Sequence, residues 1–195
     1  MMSNDSIVLE LFSRVQQLEE KVRFLEGRVE SQEYAQEESD ENLGKQTLIT
    51  RANSRDYVAE RLKTENPGFN VRKACREEGS GLVLTNGQNK ELILKYYYSK
   101  SFLEYPSGWH TMDVSDLEND NFDIYVFTVS YKEEYFVFFF TKDELRSYVS
   151  KKRLNSTTRY YFYFRIQNNK IIEVRDEEYD VSHFYDRWNL PSTLI

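Results

Sequence analysis

The hydrophobic pattern divides the chain into an N-terminal repeat and a longer, less regular segment. In residues 1–33, apolar side chains return alternately after three and four positions, which is the spacing of a left-handed coiled coil. Over four heptads, position a is Val8, Val15, Val22 and Val29, and position d is Leu11, Leu18, Leu25 and Gln32. The repeat therefore predicts a coiled coil over residues 1–33, through which copies of the chain associate.

Charged residues beside this seam favour a parallel arrangement. Position g carries Arg14, Lys21 and Arg28, and position e carries Glu19, Glu26 and Glu33. In a parallel pair each basic residue meets an acidic one, whereas an antiparallel pair would oppose like charges. With valine at a and leucine at d, we expect a parallel homodimer. A trimer is the alternative, because RVQQLE at 14–19 resembles a short trimerisation motif, and a single helix docked on its own domain is a third arrangement.

Acidic and polar residues dominate the next stretch and predict a solvated linker over residues 34–45. Residues 1–45 carry 11 acidic and 5 basic side chains, which gives −6 of the net charge of −7. The remaining residues carry 22 acidic and 21 basic side chains. A nearly neutral main segment neither requires nor excludes a nucleic-acid partner, because local charge patches matter more than totals.

Residues 46–195 have the pattern of one domain that starts with a helix and continues mainly with strands. The stretch NSRDYVAERLKTENPGF predicts a helix with Asn53 or Ser54 as its N-cap, and the Pro-Gly pair ends it. The stretch LVLTNGQNKELILKYYY predicts a hairpin around Asn86-Gly87, a pair suited to positive φ, in a loop of two or more residues.

The second half of this segment alternates strongly apolar and polar stretches. FDIYVFTVS and YFVFFF are apolar at successive positions and predict buried central strands, separated by a polar turn at 131–134. TKDELRSYVSKK opens with a capping box, Thr141 and Glu144, and predicts a helix. RYYFYFRIQNNKIIEVR predicts a last hairpin. The fold class is therefore α/β (α+β), in which a coiled-coil helix precedes a mixed sheet flanked by helices.

The order of these elements resembles a known superfamily. RDYVAERL, GFNVRKACREEGSGLVLTNGQNKELILKYYYSKS, FDIYVFTVS and YFVFFF together resemble the restriction-endonuclease-like, or PD-(D/E)xK, superfamily over about residues 51–188. The resemblance implies a nuclease-like α/β domain over residues 46–195. In that superfamily a helical glutamate, a strand aspartate and an (E/Q)-x-K triplet surround Mg²⁺, whose charge polarises phosphate and activates water. The resemblance places Glu60 at the helical glutamate and Lys95 at the triplet lysine.

The other two ligands are missing from the matched positions. The aspartate would stand at or beside Gly81, and the first triplet member is Ile93. Glu91 shares the strand face of Lys95 but lies two positions, roughly 6–7 Å, from Ile93. We therefore expect a decayed nuclease with no metal site and no cofactor, and Mg²⁺ only if Glu91 or Glu78 rescues the site. Without such a role, Lys95 is a half-buried lysine whose stem packs in the sheet, and Glu60 belongs to a solvated helix face.

The last hairpin also predicts a surface for nucleic acid. In RYYFYFRI the even-numbered residues suit a core, which leaves two tyrosines between two arginines on the opposite face. The candidate residues are Arg159, Tyr161, Tyr163 and Arg165 on this strand, with Lys151, Lys152 and Arg153 of KKRL before it. Aromatic rings can stack bases, and arginines can meet phosphates. The alternative is an ordinary amphipathic strand beside a solvated basic cluster.

Other chemistries find little support in the sequence. The single cysteine, Cys75, cannot form an internal disulfide. The two histidines, His110 and His183, lie far apart without companions at metal-ligand spacing. The seven glycines form no phosphate-binding loop. We expect Trp109 and Trp188 to anchor the core or its edge rather than to stack bases.

The sequence indicates a cytoplasmic protein without a membrane partner. YFVFFF is too short to cross a bilayer, the residues before the first apolar stretch are acidic rather than basic, and a lone cysteine suits a reducing compartment. Three functions stay open. The first is nucleic-acid binding, to DNA or RNA, by an oligomeric and catalytically decayed nuclease fold. The second is a protein-interaction or inhibitory module of a microbial defence or mobile-element system, and the third is an active metal-dependent nuclease with a rearranged site.

Overall fold

The computed structural model describes residues 50–79, 81–152, 158–168 and 170–195. The coiled coil predicted for residues 1–33 and the linker predicted for residues 34–45 lie outside the described residues. The described α-helices are α1 (Arg51–Glu65), α2 (Val114–Glu118) and α3 (Lys142–Val149), and two short 3-10 helices follow at Ser182–Phe184 and Pro191–Thr193. The described strands are β1 (Phe69–Lys73), β2 (Leu82–Asn86), β3 (Glu91–Lys100), β4 (Ser107–Asp113), β5 (Ile124–Tyr131), β6 (Glu134–Thr141), β7 (Arg159–Gln167), β8 (Lys170–Glu173) and β9 (Tyr179–Asp180). None of these helices is long and apolar enough to span a membrane.

The strands form two sheets, and the fold class is α+β, as the sequence predicts. The five-stranded sheet has the order β1-β2-β3-β5-β6, in which β3 and β5 are parallel and the other neighbours are antiparallel. The four-stranded sheet has the order β4-β7-β8-β9 and is antiparallel throughout. Because parallel neighbours need a crossover connection, β4 and α2 fall between β3 and β5 in the chain.

Helix α1 begins earlier than the sequence indicates. Thr50 is the N-cap, rather than Asn53 or Ser54, and its hydroxyl accepts a hydrogen bond of 3.1 Å from the N–H of Asn53. Ser54 is buried, and its hydroxyl oxygen lies 2.6 Å from the phenol oxygen of Tyr96. The predicted N-cap is wrong because the hydroxyl of Ser54 is used by a tertiary contact rather than by the helix terminus.

The predicted β2–β3 hairpin is confirmed, but its turn differs in detail. Positive φ occurs at Asn89 (59°), not at Asn86-Gly87. The side-chain oxygen of Asn86 accepts hydrogen bonds from the N–H groups of Gln88 and Lys90, at 2.9 and 3.0 Å. Asn86 therefore closes a longer loop with its side chain, which is a common use of asparagine in turns. The turn predicted at residues 131–134 is confirmed between β5 and β6.

One hydrophobic core lies between the five-stranded sheet and α1. Leu62 of the helix belongs to the same buried cluster as Leu94 and Tyr96 of β3 and Trp188 of the C-terminal segment. Side chains alternate between the two faces of a strand, so Lys95 points to the opposite face from Leu94 and Tyr96. Helix α1 and the side chain of Lys95 therefore lie on opposite sides of this sheet.

A second core, mainly aromatic, lies between the two sheets. Phe138 of β6 stacks on Phe164 of β7 with ring centroids 4.5 Å apart, and Phe127 of β5 lies 4.9 Å from Phe162 of β7. All four side chains are fully buried. The inward positions predicted on β7 are thus confirmed for Phe162 and Phe164. The odd-numbered residues of β7 consequently face away from this core.

Strand β6 ends the five-stranded sheet, although its apolar sequence predicts a central strand. Its outer edge is nevertheless covered. The N–H of Asp186 donates to the carbonyl of Val137 at 2.9 Å, and Phe138 forms a β-bridge with Tyr185. The two cores bury the two faces of the strand. Hydropathy reports the burial of the faces, so it cannot distinguish a covered end strand from a central one.

Candidate functional site

Lys95 lies near the middle of β3 and forms an ion pair. Its side chain shares a strand face with Ile93 and Tyr97. The ammonium nitrogen lies 2.8 Å from a carboxylate oxygen of Asp116 in α2, and each of the two side chains is 19% exposed. The same nitrogen lies 5.0 Å from the ring centroid of Phe122. The charge in this strand is therefore compensated by a carboxylate that the sequence analysis did not select.

Asp116 also receives hydrogen bonds from two tyrosines. The hydroxyl of Tyr97 donates to its carboxylate at 2.8 Å, and the hydroxyl of Tyr125 donates to its backbone carbonyl at 2.8 Å. Burial, together with the adjacent Asp116 carboxylate, raises the pKa of Tyr97 well above its usual value. Both tyrosines therefore remain neutral donors at physiological pH. Asp116 and the two tyrosines thus hold the ammonium of Lys95 in a fixed, charge-balanced environment.

The structure does not bring Glu60 and Glu91 to Lys95. Glu60 lies on α1, on the other side of the sheet, and its carboxylate pairs with Lys63 at 2.6 Å. Glu91 begins β3, four positions from Lys95 and therefore roughly 13 Å along the strand. Its exposed carboxylate accepts a hydrogen bond of 3.2 Å from the hydroxyl of Thr85. The three candidate catalytic residues thus occupy three separate places.

Gly81 stands where the resemblance requires a metal-binding aspartate. A Cβ atom at this position would lie 1.8 Å from the backbone oxygen of Leu94. No side chain fits there, because the backbone of β3 occupies the space. Within the described ranges, no group of three or more His, Cys, Asp or Glu side chains is placed to hold a metal ion.

A second candidate site lies on the side of the four-stranded sheet that faces away from the core. Trp109 of β4 pairs directly with Tyr163 of β7, and Thr111 pairs with Tyr161. The ring of Trp109 lies 5.6 Å from that of Tyr161 and 5.9 Å from that of Tyr163. Trp109 is 46% exposed and lies on β4, an end strand of this sheet, so of the two expected places it occupies the edge and not the core, whereas Trp188 is buried.

Arg175, which the sequence analysis did not select, borders the three rings. Its guanidinium carbon lies 5.6 Å from the centroid of Trp109 and 5.9 Å from that of Tyr161, which is within the range of cation–π contact. Its Nε is buried, and no hydrogen-bond acceptor lies within reach of it among the described residues. We call Trp109, Tyr161, Tyr163, Arg159, Arg165 and Arg175 together the aromatic–arginine surface.

The two predicted arginines of β7 occupy the two ends of this surface, and each contacts a carboxylate. Arg159 pairs with Asp113 at 3.0 Å, and Arg165 pairs with Glu178 at 3.1 Å. The carboxylates are 54% and 68% exposed, and both arginines are 32% exposed. Such exposed pairs contribute little to stability. Phosphate groups can therefore replace the carboxylates at small cost.

The predicted basic cluster before β7 does not form one patch. The ammonium of Lys152 is buried, 2.6 Å from the carboxylate of Glu173 and 3.2 Å from that of Asp176. Its side chain is only 4% exposed and is not accessible to a nucleic-acid phosphate, so the prediction that Lys152 contacts nucleic acid is wrong. Lys151 is exposed, with its ammonium 5.2 Å from the ring of Tyr179. Arg153 lies outside the described residues.

Glu173 connects this buried ion pair to the aromatic–arginine surface. One of its carboxylate oxygens accepts hydrogen bonds from the backbone N–H groups of Tyr163 and Arg175, both at 2.9 Å. The other accepts from the ammonium of Lys152 and from the hydroxyl of Tyr148. Burial and the adjacent carboxylate raise the pKa of Tyr148 far above its usual value. A buried, fully bonded carboxylate thus fixes the backbone of two residues of the surface.

Comparisons with known proteins add a structural likeness. No protein-family model matches the sequence, and no curated protein matches it. The solved structure of a bacterial homing endonuclease, I-Ssp6803I, is similar to this chain with a TM-score of 0.39 and 12% sequence identity. The similarity covers 74% of this chain and 93% of that chain. At this level of similarity, residue roles do not transfer from that protein to this chain.

Proposed function

We propose that this protein binds nucleic acid through the aromatic–arginine surface and does not hydrolyse it at Lys95. The observation that carries the proposal is the placement of Trp109, Tyr161 and Tyr163 together on the solvent side of the four-stranded sheet, bordered by Arg175. Aromatic rings in such a position stack bases, and arginine contributes both cation–π contact and charge. Arg159 and Arg165 at the two ends supply phosphate contacts.

The separation of the candidate catalytic residues supports a protein that does not cleave its ligand. The carboxylate of Asp116 neutralises Lys95, and Glu60 lies on the other side of the sheet. Glu91 is too far along β3 to replace a ligand at position 93. A triplet lysine must be close to metal-binding carboxylates to activate water. The nuclease-like fold is thus proposed to act as a scaffold for binding.

We also propose that the coiled coil predicted for residues 1–33 gathers copies of this surface in a parallel dimer. Linking binding sites raises the effective concentration of each site near a nucleic-acid chain, so weak contacts add to a useful affinity. The exposed, unbridged Cys75 is compatible with the cytoplasmic location that we propose.

Fluorescence polarisation of labelled DNA and RNA, single-stranded and duplex, tests the binding. We expect affinity that falls with salt, and a weaker salt dependence after Arg159→Ala or Arg165→Ala. Each lost phosphate contact lowers the slope of log K against log salt by about 0.7 for a single strand or 0.9 for a duplex. Arg72→Ala is the control, because Arg72 also forms an exposed ion pair, with Glu78 at 2.7 Å, but lies on β1 of the other sheet.

The same mixtures, incubated with Mg²⁺ or Mn²⁺ and resolved on a gel, test the absence of hydrolysis. Intact strands are the expected result. Cleavage that Lys95→Ala abolishes would instead establish an active, rearranged nuclease. Absence of binding to every nucleic acid at low salt would overturn the proposed function as a whole.

Protein binding is the second candidate function, in an interaction or inhibitory module of a microbial defence or mobile-element system. The observation that favours it is the connection between β3 and β4, where Phe102 is 88% exposed and Leu103 is 43% exposed. Exposed apolar side chains at adjacent positions are typical of protein contacts. Cross-linking that joins this loop to one partner, and that Phe102→Ala abolishes, would support this function over nucleic-acid binding.

A further inference from the structure

The aromatic–arginine surface contains aromatic side chains that do not pack in the hydrophobic core. Strand β7 presents aromatic residues on both faces, and its inner pair, Phe162 and Phe164, is fully buried between the sheets. Its outer pair, Tyr161 and Tyr163, meets Trp109, which remains 46% exposed. The core therefore explains the inner rings, whereas the outer rings form a surface with no core to fill.

The geometry of the outer rings leaves aromatic faces accessible to a ligand. The plane of Trp109 is tilted by 45° to that of Tyr161 and by 47° to that of Tyr163. Rings tilted in this way touch without covering one another's faces, unlike the parallel rings of Phe138 and Phe164 in the core, which are inclined by only 10°. A flat ligand can therefore stack on the outer rings.

The charges around these rings match a ligand that carries phosphates at intervals. On one face of β7, Tyr161 and Tyr163 lie between Arg159 and Arg165 at every second position, so neighbours in the row are roughly 6.5 Å apart and the row is roughly 20 Å long. Arg175 lies beside the row, and its buried Nε lacks an acceptor among the described residues. The guanidinium of Arg175, 5.6 Å from the ring of Trp109, therefore adds a positive charge beside the aromatic rings.

The carboxylates near the row determine whether attraction between charges or base stacking supplies most of the binding affinity. Asp113 and Glu178 each neutralise one terminal arginine, so the surface lacks the excess positive charge of a typical duplex-binding face. A duplex offers mainly phosphates and base edges, because its base faces are stacked inside. Stacking requires unpaired bases, and every base has a face that can stack on tyrosine or tryptophan.

We propose, as an extension of the proposed function on which it rests, that the ligand is single-stranded nucleic acid. Its bases stack on Trp109, Tyr161 and Tyr163, its phosphates reach Arg159 and Arg165, and Arg175 contacts the stacked base beside Trp109. Stacking supplies most of the affinity. The surface consequently tolerates different base sequences and has a modest dependence on salt.

The test compares a labelled oligothymidylate of about 15 nucleotides, near the upper end of the site size of a single-strand-binding OB fold, with a duplex hairpin of similar charge. We expect the single strand to bind at least tenfold more tightly and to quench tryptophan fluorescence. The chain has two tryptophans, and the buried one, Trp188, does not face this surface, so the quenching reports on Trp109. Trp109→Ala should weaken binding of the single strand by roughly 5- to 150-fold, which is the usual effect of losing one stacked base.

Two variants distinguish an effect on base stacking from an effect on the folded structure. Trp109→Phe keeps an aromatic face, so it should retain most of the affinity while losing the fluorescence signal. Phe102→Ala removes an aromatic residue outside the surface that is more exposed than Trp109, 88% against 46%, and should bind as the wild type does. Equal or tighter binding of the hairpin, or a Trp109→Ala variant that folds and binds the single strand normally, would overturn this inference and leave the proposed function standing. Absence of binding to both probes would overturn this inference, and absence of binding to single-stranded and duplex RNA as well would overturn the proposed function.

Discussion

The ammonium of Lys95 lies 2.8 Å from the carboxylate of Asp116, and both side chains are largely buried. The pair joins β3 to α2, which are separated in the chain by the whole of β4. The hydroxyl of Tyr97 donates to the second carboxylate oxygen at 2.8 Å but carries no charge, so removing the lysine would leave a largely buried carboxylate with its negative charge uncompensated. Lys95 therefore has a structural task in the crossover between the two parallel strands.

Lys95→Met should lower the free energy of unfolding by about 1–3 kcal/mol, between the effects typical of exposed and buried ion pairs. Urea denaturation measures this change. Asp116→Asn keeps an acceptor for Tyr97 and removes the charge, so the double variant should recover part of the loss. Nucleic-acid binding should not change, because the pair lies on the five-stranded sheet and the proposed surface lies on the other sheet.

Lys63→Met is the matched control for this prediction. Lys63 pairs with Glu60 at a similar distance, 2.6 Å, but the two side chains are 44% and 72% exposed. Its loss should cost less than about 1 kcal/mol. If Lys95→Met left stability unchanged and removed a metal-dependent cleavage, Lys95 would be catalytic rather than structural.

Lys152→Ala should be among the most destabilising substitutions of a charged residue in the described part of the chain. It would leave Glu173, which is 1% exposed, as a buried charge without its cation. Breaking a buried pair in this way typically costs about 3–5 kcal/mol. Lys151→Ala is the control at the adjacent position, because Lys151 is exposed and its removal should leave the urea midpoint nearly unchanged. Equal, small effects of the two substitutions would contradict the buried pair.

Protonation of His110 should lower the stability of the folded protein in mild acid. His110 is buried between the sheets, and its Nε2 donates to the carbonyl of Thr128 at 3.1 Å, while its Nδ1 has no partner among the described residues. Burial lowers the pKa of His110 to about 4, against about 6.5 in the unfolded chain. The unfolded state therefore binds the proton more readily. This contribution to stability is complete above about pH 6.5 and is lost as the pH falls toward 4, to a total of about 3 kcal/mol.

Unfolding in urea at several pH values between 7 and about 4 measures this contribution. His110→Gln should flatten the pH dependence attributable to the histidine, whatever its effect on stability at neutral pH. His183→Gln is the control, because His183 is exposed and lies outside this core. A pH dependence that survives in the His110 variant and disappears in the His183 variant would contradict the assignment.

The sequence predicts those elements whose inward positions are aliphatic or aromatic, and β4 shows why others are missed. The inward residues of β4 are Gly108, His110 and Met112, which do not read as a hydrophobic face. Gly108 is required because a Cβ there would lie 2.3 Å from a methyl carbon of Val129. The close packing of the two sheets requires glycine at position 108, and the hydrophobic pattern of the neighbouring residues does not indicate this requirement.

The candidate sites show the same limit of prediction from the sequence. The alternation of RYYFYFRI correctly predicts which residues of β7 face outward, because it depends on one strand alone. Trp109 and Arg175 join them only through the pairing of three strands, so no local signal selects them. Asp116 likewise becomes the partner of Lys95 through a crossover. Lys152 resembles its exposed neighbour in sequence, and only the fold places Glu173 beside it.

Association through residues 1–33 is the remaining prediction, and one substitution in the proposed seam tests it. Leu18→Lys places a charge at a d position, where it would be buried between helices, so the protein should change from a dimer to a monomer in sedimentation. Gln17→Lys is the matched control, because it adds the same charge outside the seam. Affinity for a long single strand should fall roughly 100-fold in the Leu18 variant, since linked sites gain from effective concentration, whereas affinity for a short oligonucleotide should not change. A wild-type trimer would support the alternative stoichiometry, and a wild-type monomer would show that the heptads serve a helix that does not self-associate.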